Sequence, residues 1–461
     1  MRHATAFVAP LALIGFFVAC SSNSSRATFR GDVNSSDARA PEAGTDPSSG
    51  TFVEDANAPL CDRLDCKVAD CGEGPTTTLV GKVYDPAGAN PLYNVQVYIP
   101  KLEPGEELPP LADTTVDGVA CETCASVVVN PLRSAITNEK GEFTLENVPV
   151  DKNVPVVIQV GKWRRKFEIE VKNACDENKV SDRTLKLPRN GSEGDMPQIA
   201  VSTGGCDALE CLLRGIGVDD NEFVQGHGGS GHVHVFKGEL GEMGAPAQSF
   251  WNDAEQLKKY DMVLLSCECG ENLPNKGGSA QGARGSMYDY LNAGGRVFAT
   301  HFHYSWFRYS PSYDFRQIAS WGSSDSSSGD YNVNMDFPNG DMLARWLVET
   351  GGSSTLGKVP LTDATGSITR VNSPATTWIS RPSAPKFLSF NTPVDVPEDE
   401  QCGRAVFSDV HVTGNGGPSS ISGCSISAGG LSGQQKALEF LFFDLSSCVQ
   451  KIEDPPTPPT K

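Results

Sequence analysis

The sequence predicts a multidomain chain, a small all-β sandwich followed by an α/β domain with a mostly parallel sheet. Three observations carry this. Between Thr76 and about Pro188, runs such as TTTLVGKVYD, NVQVYIP, VPVVIQVG and KFEIEVK alternate apolar with polar residues between turn signals, the period of half-buried strands. At Gln198 the period changes, and short apolar runs begin to alternate with helix-length amphipathic segments, as in a parallel sheet with covering helices. The clearest unit is Tyr260 to Tyr304, where KKYDMVLLSC, a Gly-rich loop and GSMYDYLNAGGRVFATHFHY spell strand, helix and strand, the helix ending at Ala293-Gly294-Gly295.

At 461 residues the chain exceeds the span of one core, so two folded domains are expected. Residues 1–19 read as a signal peptide, with Arg2 and His3, an apolar stretch from Ala4 to Phe17, and then Phe17-Val18-Ala19-Cys20. That tetrapeptide resembles the lipobox of bacterial lipoproteins. The resemblance implies an acylated Cys20, a lipid bilayer as partner and, because Ser21 and Ser22 follow in place of an acidic residue, an outer-membrane location. The alternative is an ordinary secretory signal in which Cys20 is incidental. No later window holds the 18 or so apolar residues of a membrane span.

Fourteen cysteines less Cys20 leave thirteen, which in an oxidising compartment implies several disulfides and at least one leftover thiol. A net charge of -19 argues against nucleic acid or an anionic membrane face as partner. Residues 20–60 are rich in Ser, Asp, Ala, Pro and Gly without hydrophobic periodicity and read as a disordered tether. In the segment 61–75, Cys61, Cys66 and Cys71 have no histidine nearby, which favours disulfides over a metal.

The sandwich is assigned to 76–190, with a hairpin at Asn138-Glu139-Lys140-Gly141, where Gly141 is free to take positive φ. Leu79-Val80-Gly81-Lys82-Val83, Pro91 to Val97 (PLYNVQV) and Thr137 to Pro149 (TNEKGEFTLENVP) make this part similar to the carboxypeptidase regulatory-like domain, a transthyretin-like or Cna-B-like module. The resemblance implies a structural or binding role without catalysis. An insertion from Lys101 to Arg133 contains Cys121-Glu122-Thr123-Cys124. Without a thioredoxin-like βαβ context, this C-x-x-C reads as a local disulfide or a link to another segment.

The α/β domain is assigned to 196–450 and a Pro-rich tail to 451–461. Strands are expected at Ile199 to Ser202, His232 to Phe236, Met262 to Ser266 and Arg296 to Thr300, and helices at Asp207 to Arg214, Asn252 to Lys259 and Ala283 to Asn292. After a Ser/Gly/Asp-rich excursion, Lys386 to Phe390 and Gly403 to Val412 return to the sheet. A last helix starts at a Ser432/Gln435 capping box and runs through Ala437, Leu438, Leu441, Phe442 and Leu445.

Tyr260 to Leu265 (YDMVLL), Leu291 to His301 (LNAGGRVFATH) and Cys402 to His411 (CGRAVFSDVH) make this domain similar to class I glutamine amidotransferases, which implies a flavodoxin-like sheet. Both domains behind a lipobox look like lipoproteins abundant in myxobacteria and their relatives. The amidotransferase resemblance implies a nucleophilic Cys after the strand Val297 to Thr300 and a His after Ala405 to Val410. His411 matches the second position. At the first the chain reads Thr300-His301-Phe302-His303, with no Cys or Ser at the tip of the elbow, and Ser305 follows too late.

Ligands of open parallel sheets bind beyond the carboxyl ends of the strands. That rule gathers Ser202, Thr203, Cys267, Cys269, Glu271, His301, His303, Asp409 and His411. The candidate catalytic group is His301, His303, His411 and Asp409. If the strand continues past Thr300, His301 and His303 share a face, and with His411 and Glu271 they form a candidate ligand set for a divalent metal such as zinc. The alternative is an inherited crevice whose histidines are hydrogen-bonded and inactive. Cys267 or Cys269 is the candidate leftover thiol. His227, His232 and His234 form a second cluster, in which His232 and His234 would share a strand face without a placed third ligand, a pattern read as structural or exposed with metal binding as the alternative. Gly226 to Gly231 matches G-x-G-x-x-G but leads into a strand, which removes the dinucleotide reading. Tyr304, Trp306, Phe307, Tyr309, Tyr313, Phe315 and Trp321 suit either carbohydrate stacking or a small core beneath a long loop.

These readings converge on a lipid-anchored cell-envelope protein of binding or structural type with a degenerate amidotransferase-like crevice. The alternatives are a metal-dependent hydrolase using His301, His303 and His411, and a protein recognising carbohydrate through Trp306 and Tyr309 or docking to envelope proteins.

Overall fold

The computed structural model describes residues 63–102, 106–111, 119, 131–277, 282–413 and 417–458. The expected signal peptide, Cys20, the expected tether, Cys61 and the Cys121/Cys124 pair lie outside them. Eight strands open the described chain: β1 (Thr78–Tyr84), β2 (Gln96–Ile99), β3 (Arg133–Ile136), β4 (Glu142–Glu146), β5 (Asp151–Val160), β6 (Trp163–Val171), β7 (Glu177–Lys179) and β8 (Leu185–Lys186). They form two small sheets, one ordered β4-β1-β7 with β8 also on β1, the other β3-β2-β5-β6. In β4 burial alternates residue by residue, so Phe143 and Leu145 face inward to a core they share with Leu79, Val97 and Val156.

The turn at Asn138 to Gly141 forms, with Gly141 at φ +70°. A Cβ there would stand 2.7 Å from the Val83 carbonyl oxygen, so glycine answers a steric need as well as a conformational one. The expected hairpin does not form, because β3 pairs with β2 while β4 pairs with β1. The turn residues dictate a reversal of the chain but not which neighbour completes each ladder. Here they carry the chain from one sheet to the other.

The remaining strands are β9 (Ile199–Thr203), β10 (Phe223–Gln225), β11 (Val233–Lys237), β12 (Ala245–Pro246), β13 (Met262–Leu265), β14 (Arg296–Thr300), β15 (Ala319–Trp321), β16 (Gly329–Val333), β17 (Lys358–Leu361), β18 (Ile368–Val371), β19 (Thr376–Arg381), β20 (Ala384–Thr392) and β21 (Gly403–Ser408). One large sheet runs β10-β11-β9-β13-β14-β21-β20-β19-β16-β17, with β12 on β11, while β15 and β18 pair separately. From β10 to β21 the ladders are parallel. From β21 outward they are antiparallel. The mostly parallel sheet is therefore a mixed one. Its antiparallel half lies largely in the stretch that the sequence presents as polar and irregular.

Of the helices, α1 (Leu209–Gly215), α2 (Ala283–Asn292), α3 (Pro338–Glu349) and α4 (Gly433–Ser446) matter most here. The capping box at Ser432 and Gln435 forms as expected. Among the described residues no helix is long and apolar enough to cross a membrane.

Helix α4 is buried nearly all round, from Ala437 through Ser446. One face lies on the large sheet, and the N-terminal sheets cover the other. Tyr93 stacks on Phe440 at 5.9 Å between centroids, Trp163 meets Phe442 and Phe443 edge-on, and the Trp346 indole N–H donates to the Pro91 carbonyl at 2.6 Å. Leu60–Lys461 accordingly forms one compact unit.

Polar groups cross this interface too. Asp85 accepts the N–H groups of Ala89 (2.7 Å) and Asn90 (3.1 Å), and the Asn90 amide donates to Glu439 Oε2 at 2.7 Å. Burial pushes the Asp85 carboxyl up to about 6, while burial and then the adjacent Asp85 push Glu439 well above the carboxylate range. Both folded pKa values are raised, so their contribution to stability is fully present below the ordinary carboxylate range and is lost as pH rises through 6 and beyond. Glu439→Gln mimics the protonated side chain. In denaturant melts it should exceed the parent protein at about pH 8 by on the order of 2 kcal/mol, with the gap closing toward pH 4. An equal or larger gap at pH 4 contradicts the buried-carboxyl account.

Candidate metal centre

The carboxyl ends of β9, β13, β14 and β21 converge, and short polar contacts fix them against one another. The Thr300 hydroxyl, at the end of β14, donates to the Leu265 carbonyl (3.2 Å) and accepts the Cys267 N–H (3.0 Å). The two parallel strands are thus tied where they end, and Cys267 is placed beside His301. The chain leaving β9 crosses so closely that a Cβ on Gly204 would lie 2.2 Å from the Cys267 carbonyl oxygen. Glycine is required there.

Strand β14 stops at Thr300, and His301 takes φ +42° before a 3-10 turn over His301–Tyr304. A non-glycine residue in that region costs on the order of 1–3 kcal/mol, so neighbouring contacts must hold it. The turn corrects the expectation that His301 and His303 share a face. Once the strand ends, the alternation that would align them is lost.

His301 Nδ1 lies 3.4 Å from Cys267 Sγ, and the rings of His301 and His411 are 5.3 Å apart. Cys267, His301 and His411 each bring a donor atom within 4.8 Å of the others, and the set is largely buried. Burial first, then the neighbouring His411, hold the His301 ring neutral by pushing it down to about 3. Burial pushes the Cys267 thiol up to about 12. A neutral thiol beside a neutral imidazole lacks the thiolate-imidazolium character of an activated cysteine nucleophile. Two imidazoles and one sulfur suit a borderline metal.

The other predicted residues lie apart from this cluster. His303 is fully occupied, its Nε2–H donating to the Ser266 carbonyl (2.9 Å) and its Nδ1 accepting from the Trp306 indole (2.8 Å). Glu271 accepts from Tyr304 (2.5 Å) and Tyr309 (3.2 Å), and its backbone carbonyl accepts from Lys276. Asp409 is buried and clamps the loop before β18, taking N–H groups of Ser367 (2.7 Å) and Ile368 (3.0 Å) together with the Ser367 hydroxyl. Cys269 is in a disulfide with Cys206, which leaves Cys267 as the free thiol among the described residues. Cys211 bonds Cys424 and Cys71 bonds Cys175, and Cys66, Cys402 and Cys448 are also disulfide-bonded. His232 pairs with Glu222 at 2.6 Å and His234 with the Gly226 carbonyl at 2.7 Å, as structural histidines do. Trp306 and Phe307 are buried, and Trp306 lies over Lys276, which is ion-paired with Glu268 in the interior.

Sequence reasoning missed two carboxylates, Asp207 on the chain entering α1 and Glu210 in the first turn of α1. Both are fully buried, and one oxygen of each lacks a hydrogen-bond partner among the described residues, as does His411 Nε2. Burial pushes Glu210 up to about 8. The available signal was acidic residues just past a β9 carboxyl end, inside the predicted crevice.

No family model and no curated relative matches the chain. Among solved structures it is similar to a cytoplasmic protein, STM3548, from Salmonella typhimurium (10% identity, 55% of this chain and 100% of that one, TM-score 0.30). It is also similar to a ThuA-like protein from Bacteroides uniformis (10% identity, 53% and 90%, TM-score 0.30) and to SMU.1228c (9% identity, 54% and 99%, TM-score 0.31). At these values the likeness assigns no activity.

Burial of Cys267 yields a direct expectation. In chelator-treated native protein at about pH 8, iodoacetamide should leave Cys267 unmodified, and unfolding without reductant should expose an alkylation site that Cys267→Ser removes. Rapid native labelling of Cys267 contradicts the buried-thiol account.

Proposed function

We propose that the protein is a lipid-anchored cell-envelope protein whose α/β crevice binds a transition metal, zinc by its donor chemistry, through Cys267, His301 and His411. In this reading the N-terminal sheets are a carboxypeptidase regulatory-like sandwich. The parallel half of the large sheet is a flavodoxin-like, amidotransferase-like domain that has exchanged its nucleophile for a metal site. The observation that carries the metal assignment is the meeting of three soft-to-borderline donors within 4.8 Å at the carboxyl ends of parallel strands. Zinc holds sulfur at about 2.3 Å and nitrogen at about 2.0–2.1 Å, so a movement on the order of 1 Å brings all three onto one ion. Three protein donors match the ligand count of zinc sites that keep a position for water or a substrate oxygen. Hydrolysis is the reaction class this supports.

The anchor rests on the Phe17-Val18-Ala19-Cys20 pattern, outside the described residues. Carbohydrate recognition through Trp306 loses its support, because that ring is buried.

Protein exported through an oxidising compartment should carry about one zinc per chain by elemental analysis. Cys267→Ser, His301→Ala and His411→Ala should each lose it, while Asp409→Asn keeps it. Saturating metal at about a thousand times its dissociation constant should stabilise the fold by about 4 kcal/mol. Absence of stoichiometric metal, with melting unchanged by chelation, would leave the binding-protein reading in its place. Separately, Cys20→Ser should release the protein from membranes, and retention there rules out the lipid anchor.

A further inference from the structure

The metal site proposed above leaves a charge unaccounted for. A divalent cation held by one thiolate and two neutral imidazoles carries a net positive charge into a buried setting, where an unbalanced charge is strongly disfavoured. A carboxylate stands ready beside it. Asp207 is fully buried, and its Oδ1 accepts the N–H groups of Ala208 (2.8 Å) and Val412 (2.7 Å). The second of these fixes it to the residue that follows His411. Its Oδ2 has no hydrogen-bond partner among the described residues, and neither has His411 Nε2. Burial raises the Asp207 carboxyl, and the nearby His411 acts against that rise. Asp207 is not one of the three donors that meet.

We propose, resting on the metal-site reading, that Asp207 is the positioning carboxylate of the centre, its Oδ1 fixing the backbone next to His411 through the Val412 N–H and its unpartnered Oδ2 balancing the charge of the bound ion. Metal-bound histidines commonly depend on such an outer carboxylate, and removing one lowers metal affinity by roughly 10–100-fold. The Glu210 carboxyl also has an unpartnered oxygen, but its other oxygen accepts from the Ser266 hydroxyl at 3.4 Å, and among the described residues no hydrogen bond ties it to the residues next to His411.

The test uses the full chain and zinc alone, measured by competition with a chromophoric chelator, with cobalt as a spectroscopic substitute. Asp207→Asn keeps an Oδ1 that accepts both N–H groups and changes the free oxygen. It should bind one zinc per chain roughly 10–100-fold more weakly, with cobalt d–d bands displaced while the sulfur-to-cobalt absorption persists. Asp207→Glu keeps the charge and should recover most of that affinity. Parent-like affinity and cobalt bands in a folded Asp207→Asn overturn the assignment, as does an equal loss in Asp207→Asn and Asp207→Glu. If Asp207→Asn fails to fold, Asp207→Glu decides, since parent-like cobalt bands support the assignment and displaced bands in a folded protein overturn it. A parent chain that binds no zinc is a separate result, and it removes the metal site itself.

Discussion

The structure depends on helix α4 being apolar on two faces. An amphipathic surface helix covers a sheet with one stripe and meets water with the other. Residues Ala437 through Ser446 leave no such wet stripe. Left against the large sheet alone, Phe440 and Phe443 would be exposed, and a fully buried aromatic side chain contributes on the order of 1.5–3 kcal/mol. The N-terminal sheets supply the missing cover through Tyr93 and Trp163. They share a core with the α/β half, and they are not tethered to it as an independent stalk would be. The same helix carries Glu439 and Asp444 into the interior. Asp444 meets Arg404 at 3.0 Å and the Asn339 amide at 2.8 Å. Glu439 reaches the turn at Asn90.

The candidate centre follows from how strands end. A parallel sheet delivers consecutive strand ends to one edge, but it does not by itself bring their side chains together. Here the Thr300 hydroxyl spans β13 and β14, glycine at position 204 permits the crossing from β9, and the left-handed turn at His301 aims its ring back at Cys267. These features put a thiol just past the end of β13 and an imidazole in the turn that ends β14. Burial keeps both groups neutral without a metal.

Much of this was legible in the sequence, unevenly. The strands Met262–Leu265 and Arg296–Thr300 and the helix Ala283–Asn292 were readable because apolar runs, a helical period and Ala293-Gly294-Gly295 agree. The last helix declared itself through its capping box. Strands β16, β17 and β19 were hidden because each is short, partly exposed and embedded among Ser, Gly and Asp, so period-two alternation has too few residues to show. At the centre, His301 and His411 were found from the strand-end rule. His303 was included by extending strand alternation one residue beyond where the strand stops. Cys267 was singled out from Cys269 only by the fold, since spacing says nothing about which of two near neighbours finds a partner. Asp207 was passed over although it follows the carboxyl end of β9, because its link to the centre runs through Val412, 205 positions away in sequence.

That pair of neighbouring cysteines also bears on how the chain matures. Cys206 is bonded to Cys269, while Cys267, two residues earlier, stays reduced. In an oxidising compartment both thiols begin within reach of the same partner, and disulfide exchange through mixed intermediates offers each a turn. The backbone separates them: the Cys206 N–H is bonded to the Cys267 carbonyl at 3.0 Å, and the Cys267 N–H is held by Thr300. In the folded chain these two backbone bonds hold Cys267 beside His301, buried and out of the disulfide, and leave Cys269 as the thiol joined to Cys206.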